Sequence, residues 1–185
     1  MRFGYFLFWC AFRAMFKVLF DCRIYHAERV PLSGPVLLAA NHASFMDPPL
    51  IGSCLNRETH YLARNTLFRF PIFRNILNYI NVIPVDRNGR SPKGLRAVTN
   101  SLKKNHSVIL FPEGTRSHDG KLQRAKSGVG LLAIKSEAPV VPIRVFGTFE
   151  SYGRHLKWPR PKRLQIKMGN PMWLNDLRTE ARTAD

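Results

Sequence analysis

A histidine and an aspartate lie five positions apart in the stretch "AANHASFMDPP", residues 39 to 49. One tight turn between His42 and Asp47 can bring the carboxylate to the imidazole. A carboxylate that accepts a hydrogen bond from one ring nitrogen fixes the tautomer and leaves the other nitrogen as a base. That base can take a proton from a hydroxyl group or from water. The spacing alone is weak evidence for catalysis, because histidines and aspartates five residues apart are common.

A second polar stretch, "FPEGTRS", covers residues 111 to 117 and follows an apolar run. Pro112 ends the expected strand, and Gly114 lets the backbone turn tightly. Arg116 presents a fork of N–H donors that suits a phosphate group. Glu113 can orient arginines or accept a hydrogen bond from a substrate hydroxyl. Taken alone, the stretch is better explained as an ordinary turn with an exposed charge pair.

A third stretch, "VIPVDR", residues 82 to 87, places Arg87 at the end of another apolar run. An arginine in that position can reach the same crevice as Arg116. Two arginines beside one base indicate a substrate that carries a phosphate group and a reactive hydroxyl.

The rest of the sequence predicts the frame that positions these stretches, because short apolar runs alternate with segments of helical periodicity. Strands are expected at "VLLAA", "HYLA", "VIPV", "SVILF", "VVPIRVF" and, at the edge, "RLQIKM"; helices are expected at residues 48–55, "IFRNILNYI", "KGLRAVTNSLKK", "GVGLLAIKSE" and "LNDLRTEA". This alternation predicts an α/β fold with a largely parallel central sheet flanked by helices. Ligands bind at the carboxyl ends of strands in such sheets, where the three polar stretches lie.

The first 20 residues predict an element of a different kind, since they hold six of the 13 phenylalanines. The uninterrupted apolar run has ten residues, whereas a bilayer span needs about 20. On a helical wheel Arg2, Arg13 and Lys17 fall within about 60°, and the remaining surface is apolar. Such an amphipathic helix is expected to lie in the membrane interface. The alternative is a helix packed on the protein's own core.

The composition limits the classes of function. A chain of 185 residues suits one domain, and its net charge of +17 indicates a polyanionic partner: nucleic acid, an anionic membrane or a phosphorylated substrate. Three cysteines without a CxxC pair indicate a reducing compartment and no disulfide scaffold. The histidines lack metal-ligand spacing, so no metal site is expected. The basic stretch "RHLKWPRPKR", residues 154–163, is expected to be a solvated loop.

Taken together, "NHASFMD", "VIPVDR", "FPEGTRS" and "VVPIRV" closely resemble the motifs of the glycerolipid acyltransferase family, whose best-known members are the PlsC-like 1-acylglycerol-3-phosphate acyltransferases. The resemblance covers about residues 35–148, and the first and third motifs carry most of it. Together with the apolar N-terminal helix, it predicts a membrane-associated helix over residues 1–22 and an acyltransferase domain over residues 23–185.

The resemblance implies a reaction and a set of site residues. His42 is then the general base and Asp47 its orienting partner. His42 deprotonates the 2-hydroxyl of lysophosphatidic acid, and the oxygen attacks the thioester of acyl-CoA or acyl carrier protein (acyl-ACP) without an acyl-enzyme, which makes phosphatidic acid. The positions that match those binding the glycerol phosphate are Arg64, Arg87, Glu113, Gly114, Thr115 and Arg116. Arg64 stands where the family often has a lysine.

The same resemblance implies the partners and the location. No cofactor is expected beyond acyl-CoA or acyl-ACP as co-substrate, and the partners are a lysophospholipid acceptor and a membrane surface, with no nucleic acid. The protein is expected at the cytoplasmic face of a membrane, as a peripheral or monotopic protein. One position departs from the family: Asn81 replaces the usual glycine of the second motif. Asparagine tolerates the left-handed backbone better than most residues.

Three alternatives remain open at this stage. Within the family, the acceptor can be glycerol 3-phosphate or another lysolipid. A hydrolase with Ser44 as nucleophile is disfavoured, because the glycines of a Gly-x-Ser-x-Gly elbow are absent. A noncatalytic module that binds RNA or anionic membrane fits the charge, but the RNA-binding signatures are absent. Replacement of His42 by alanine separates the last alternative from catalysis, since binding would survive it.

Overall fold

The apolar runs form a seven-stranded sheet in the computed structural model, which describes residues 1–85 and 92–174. The strands are β1 (Arg23–Tyr25), β2 (Val36–Ala40), β3 (Thr59–Arg64), β4 (Val82–Val85), β5 (Ser107–Leu110), β6 (Val140–Phe146) and β7 (Gln165–Met168). Their order across the sheet is β1-β7-β6-β2-β5-β3-β4. Every neighbouring pair is parallel except β6 with β7. The predicted α/β class with a largely parallel sheet is therefore confirmed.

Helices connect the strands and cover the sheet. They are α1 (Phe3–Phe20), α2 (Asp47–Cys54), α3 (Pro71–Tyr79), α4 (Pro92–Lys103), α5 (Ser127–Lys135) and α6 (Thr148–Tyr152), with short 3-10 turns at Ala27–Arg29 and Asn65–Arg69. The expected helix "LNDLRTEA" lies almost wholly outside the described residues, as do Arg87 and the polar run around it.

The core lies on both faces of the sheet, as the side-chain alternation of β2 shows. Leu38 belongs to a cluster with residues of α1 and α2, whereas Leu37 packs with residues of α4 and α5. Both side chains are 0% exposed. A strand buried on both faces is apolar throughout, which is why "VLLAA" predicts this central strand so clearly.

The expectation that "RLQIKM" forms an edge strand was wrong. β7 lies between β6 and β1, so β1 occupies that edge of the sheet. β1 has three residues, Arg23 to Tyr25, which is too few for a periodic pattern. It is held in place by parallel pairing with the backbone of β7, and only the tertiary fold supplies that partner.

Helix α1 packs on the protein and also exposes apolar side chains. Tyr5 and Phe16 are buried, whereas Phe3 is 78% exposed and Val18 is 79% exposed. Within the described ranges, α1 is the helix whose length and composition would suffice to cross a membrane. Both interpretations of the N-terminal segment therefore have support, since one face of the helix joins the core and another remains apolar and exposed.

The basic stripe predicted on α1 faces the folded domain and not a membrane surface. Arg2 forms an ion pair with Glu58 at 3.0 Å, and Arg13 donates to the carbonyl oxygen of Ser53 at 3.2 Å. Two of the three cations of the stripe thus bind the folded domain. The helical wheel places them on one side of α1 correctly, but that side faces the domain.

Asn81 supports the turn before β4. Its φ is 64°, the left-handed conformation that glycine usually supplies. Its side chain accepts from Arg2 at 2.6 Å and donates to Glu58 at 3.1 Å. The replacement of the family's glycine therefore keeps the turn and ties it to the start of α1.

Candidate active site

The turn between β2 and α2 brings His42 to Asp47. Nδ1 of His42 lies 2.8 Å from Oδ2 of Asp47, and the backbone N–H groups of Ala43 and Ser44 donate to the same oxygen at 2.7 Å each. Asp47 is 0% exposed, so these bonds replace the hydration that a buried carboxylate loses. Because the two backbone N–H groups already make Oδ2 an acceptor, the contact with His42 requires Nδ1–H as the donor. Nε2 is then left as a base.

The segment 111–117 holds His42 at three points. The His42 ring stacks on Phe111 with centroids 4.0 Å apart. Its backbone N–H donates to Oε1 of Glu113 at 3.0 Å, and its carbonyl oxygen accepts from the backbone N–H of Ser117 at 2.7 Å. The end of β5 thus fixes the residue that follows the neighbouring strand β2.

Glu113 is buried at the centre of this arrangement, with 5% of its surface exposed. Oε1 binds the His42 backbone, and Oε2 has no hydrogen-bond partner among the described residues. The observed contact positions His42, while the binding of substrate by Glu113 stays a prediction. Gly114 has a φ of 67°, the left-handed region that glycine adopts without strain. The turn therefore favours glycine, as expected from its place after Pro112.

Asn41 ties the end of β2 to β6. Its side-chain amide donates to the carbonyl oxygen of Val145 at 3.1 Å and accepts from the Val145 N–H at 2.7 Å. This pair of bonds continues the pairing of β2 with β6 by one residue. It keeps the next residue, His42, at the carboxyl ends of the strands.

Ser44 has a structural place in the turn. Its hydroxyl donates to the carbonyl oxygen of Tyr152 at 2.7 Å and accepts from the N–H of Met46 at 3.1 Å. The residue is 0% exposed. A hydroxyl that is buried and bonded in this way presents no nucleophile to a substrate, so the structure gives the hydrolase alternative no support.

Arg116 has two other arginines, Arg154 and Arg64, and the carboxylate of Asp47 within electrostatic range. Burial lowers the pKa of the Arg116 guanidinium, and the positive charges of Arg154 and Arg64 lower it further. The Arg116 guanidinium lies 3.3 Å above the ring of Phe45, and Arg154 donates to the hydroxyl of Thr115 at 2.6 Å. Nη1 of Arg116 is buried without a partner in the described part of the chain. Cations that repel one another and keep an unused donor suit a multiply charged anion such as a phosphate group.

The structure brings most of the predicted site residues together. His42, Asp47 and Glu113 are linked by direct hydrogen bonds, and Arg64 ends β3 at the same edge of the sheet. Arg87 lies outside the described residues. In residues 1–85 and 92–174, no group of three or more His, Cys, Asp or Glu side chains could hold a metal ion.

Sequence reasoning missed three contributors to the site. Phe111 and Ser117 lie at the two ends of "FPEGTRS", where their types gave no chemical signal. Arg154 begins the stretch expected to be a solvated loop. Most of that stretch is exposed, Arg154 included, but Arg154 donates to the hydroxyl of Thr115. The excess of cations was the available signal, although the pattern did not indicate which cation bonds to the site.

Comparison with known proteins gives a consistent set of relatives. A family model described as "Acyltransferase" matches residues 21–146. A 1-acyl-sn-glycerol-3-phosphate acyltransferase from Cocos nucifera is 31% identical over 143 residues, 76% of this chain and 46% of that protein. One of the same name from Bacillus subtilis is 29% identical over 152 residues, 81% of this chain and 73% of that protein. This chain therefore spans less than half the length of the Cocos nucifera relative.

A solved structure has the same fold. The crystal structure of the 1-acyl-sn-glycerophosphate (LPA) acyltransferase PlsC from Thermotoga maritima matches with a TM-score of 0.82 and 26% identity. The match covers 97% of this chain and 76% of that chain.

Proposed function

The chain belongs to the acyltransferase family, and we propose that it transfers a fatty acyl group from acyl-CoA or acyl-ACP to the 2-hydroxyl of 1-acyl-glycerol 3-phosphate, making phosphatidic acid. The observation that carries the proposal is the pairing of His42 with Asp47 beside the arginine cluster. The relatives from Cocos nucifera and Bacillus subtilis, both named 1-acyl-sn-glycerol-3-phosphate acyltransferases, support the choice of acceptor.

The proposed transfer is a direct attack of the acceptor on the donor. Nε2 of His42 takes the proton of the acceptor hydroxyl as its oxygen bonds to the thioester carbonyl carbon. The carbon–sulfur bond then breaks, and the thiolate leaves with its electron pair. The imidazolium returns the proton to that sulfur, so the enzyme ends unchanged. Asp47 keeps Nδ1 protonated throughout and stabilises the imidazolium as it forms.

The proposed seat of the acceptor phosphate is the cluster of Arg64, Arg116 and Arg154. A phosphate monoester carries up to two negative charges, and a planar guanidinium binds its oxygens in pairs. The buried, unpartnered Nη1 of Arg116 supports this assignment. By the family resemblance, Arg87 joins the same group.

The proposed location is the cytoplasmic face of a membrane, with residues 1–22 as the attached element. The exposed apolar side chains of α1 support it, since Phe3 and Val18 each expose more than three quarters of their surface. An acceptor with one long acyl chain resides in the membrane, so an enzyme bound at the interface meets its substrate there.

The test is a panel of acceptors in detergent micelles with labelled oleoyl-CoA and, separately, oleoyl-ACP as donor. The acceptors are lysophosphatidic acid, glycerol 3-phosphate, lysophosphatidylcholine and water. The proposal predicts phosphatidic acid as the main product. Faster acylation of glycerol 3-phosphate or of the choline lysolipid would reassign the acceptor, and release of free oleate alone would overturn the transferase. Binding without turnover of any acceptor would leave the noncatalytic module as the better account.

A further inference from the structure

We propose that the basic loop (residues 154–163) docks the protein on a membrane that contains anionic phospholipids, with Trp158 inserted among the headgroups. The loop connects α6 with β7. The inference rests on the proposed membrane location, for which α1 supplied the attached element. It adds a second element and names the lipid chemistry that this element recognises.

The basic loop carries a dense positive charge. It contains five Lys and Arg residues and no Asp or Glu, and residues 157–163 are all exposed. Lys157, Arg160 and Lys162 form no ion pair with any residue that the structure describes. A cluster of exposed cations without carboxylate partners attracts a negatively charged surface.

Trp158 distinguishes the basic loop from an ordinary solvated loop. It is 80% exposed, the highest value among the large apolar residues that the structure describes. An indole in water forgoes the free energy that its burial would supply. At a membrane interface the ring lies among the headgroups and the N–H stays near water. A tryptophan between cations therefore favours an anionic lipid surface over a polyanion that is recognised by charge alone.

The fold holds the basic loop in one shape. The backbone N–H of Arg160 donates to the carbonyl oxygen of Ser151 at 2.8 Å, and the Ser151 hydroxyl donates to the carbonyl oxygen of Arg160 at 2.7 Å. Ser151 is 0% exposed. Pro159 and Pro161 lie on either side of Arg160 and restrict the backbone further. A loop that is ordered before it docks loses little conformational entropy on binding.

The basic loop lies at the carboxyl ends of the central strands, as the candidate active site does. Phe146, the last residue of β6, pairs with Gln165, the first residue of β7, so the connection between them lies at that edge of the sheet. At the start of the loop Arg154 donates to the hydroxyl of Thr115. Trp158 comes four positions later, so its Cα lies within about 14 Å of that of Arg154. Contact of Trp158 with headgroups therefore keeps the site close to the membrane.

The other end of the basic loop joins the end of α1. Arg163 forms an ion pair with Asp21 at 2.6 Å, and the N–H of Leu164 donates to the carbonyl oxygen of Phe20 at 3.0 Å. Two residues before Phe20, Val18 is 79% exposed. The exposed apolar end of α1 and the basic loop are thus neighbours, and one membrane surface can contact both.

The experiment measures co-flotation of the full chain with lipid vesicles, at low and at high salt. The vesicles contain phosphatidylcholine alone or phosphatidylcholine mixed with phosphatidylglycerol. The charge variant is K157Q/R160Q/K162Q. Its matched control, R96Q/K103Q/K104Q, removes the same charge from exposed cations on and directly after α4, which connects β4 with β5.

A second pair of variants tests the indole. W158A removes it from the basic loop, and W173A is the control. Trp173 is 62% exposed and follows Met172, which pairs with Val140 at the start of β6. Trp173 therefore lies at the amino end of that strand, away from the candidate active site.

We expect the wild type to bind the mixed vesicles, and to bind them less at high salt because salt screens the attraction. K157Q/R160Q/K162Q should bind them about 100-fold more weakly, since each cation near an anionic membrane contributes about 5-fold. W158A should lose about 10-fold. Both controls should match the wild type.

Transfer from oleoyl-CoA to lysophosphatidic acid is measured for every variant in micelles of a nonionic detergent, where docking on an anionic surface has no part. We expect unchanged kcat there, which also shows that the variants fold. On mixed vesicles, transfer by K157Q/R160Q/K162Q and by W158A should fall with their binding.

Equal vesicle binding by K157Q/R160Q/K162Q and its control would overturn the docking element and leave the transferase standing. Equal binding by W158A and W173A would overturn the insertion of Trp158. A wild type that transfers no acyl group but binds mixed vesicles through the basic loop would sink the proposed function and support the docking. Binding of acyl carrier protein that depends on the basic loop, without vesicle binding, would overturn lipid as the partner.

Discussion

The imidazole of His42 lies against the phenyl ring of Phe111, with centroids 4.0 Å apart and planes inclined by 20°. The ring is thus held on one face by Phe111 and at its Nδ1 edge by Asp47. Phe111 directly follows β5, the strand beside β2. The orientation of the base therefore depends on the neighbouring strand as well as on its own turn.

Replacement of Phe111 by alanine should loosen the imidazole without removing it. We expect kcat to fall about 10- to 100-fold, because a small displacement of a catalytic group has an effect of that size. The KM for the acceptor should change little, since Phe111 does not belong to the arginine cluster. Steady-state kinetics checks this, with F149A as the control for loss of a partly buried ring elsewhere. An unchanged kcat would show that the stacking has no part in catalysis.

Asp47→Asn should abolish most of the activity by removing the negative charge beside the imidazole. The backbone N–H groups of Ala43 and Ser44 would hold the amide oxygen at the position of Oδ2, but a neutral amide does not stabilise the imidazolium that forms during transfer. The loss in kcat should be about 1000-fold or more. D21N, which changes an exposed aspartate, should keep full activity. A D47N variant that keeps activity within about 10-fold of the wild type would contradict the part assigned to the Asp47 carboxylate.

Arg116→Gln should weaken binding of the acceptor phosphate. The KM for lysophosphatidic acid should rise about 10-fold, while transfer to monoacylglycerol, which lacks the phosphate, should stay as slow as in the wild type. R116K should restore little, because an ammonium group lacks the planar fork. R96Q is the matched control on the exposed surface of α4. A parallel loss with both acceptors would assign Arg116 a structural part instead.

A pair of stacked histidines away from the candidate active site predicts that the folded protein loses stability at acid pH. The rings of His60 and His106 lie 4.2 Å apart. Burial, followed by the charge of His106, lowers the pKa of His60 to about 4. Burial also lowers the pKa of His106, as does the charge of Lys104. The unfolded chain, with an ordinary His pKa of about 6.5, then binds more protons than the folded protein below that pH.

The free energy of unfolding should therefore be largest above pH 6.5 and fall as the pH drops from about 6.5 to about 4. His60→Phe keeps the ring and removes one titrating group, so it should lose less stability over that interval. Urea unfolding at pH 7 and pH 4.5 measures the difference. An equal loss in H60F and the wild type would contradict the part assigned to His60.

The sequence predicts the central strands and the catalytic pair because their signals are local. "VLLAA" is a continuous apolar run, which is the pattern of a strand buried on both faces. His42 and Asp47 share one turn, so their spacing is enough to suggest their contact. Gly114 has the left-handed backbone that its place in "FPEGTRS" indicates.

The rest depends on which strands become neighbours. The stacking of Phe111 on His42 requires β5 to lie beside β2, and alternation of strands and helices does not specify that order. The same holds for β1, which is too short to show a pattern, and for Arg154, which meets Thr115 across 39 residues of sequence. These features follow from long-range packing, for which a single sequence carries no periodic signal.

The role of His42 as the base of an acyl transfer is tested by comparing His42→Ala with the wild type in single-turnover transfer from labelled oleoyl-CoA to lysophosphatidic acid. H155A, which removes an exposed histidine, is the control. We expect H42A to stay folded and still bind lysophosphatidic acid but to lose transfer by about 1000-fold or more, while H155A is unchanged. Transfer by H42A at the wild-type rate would show that His42 is not the base.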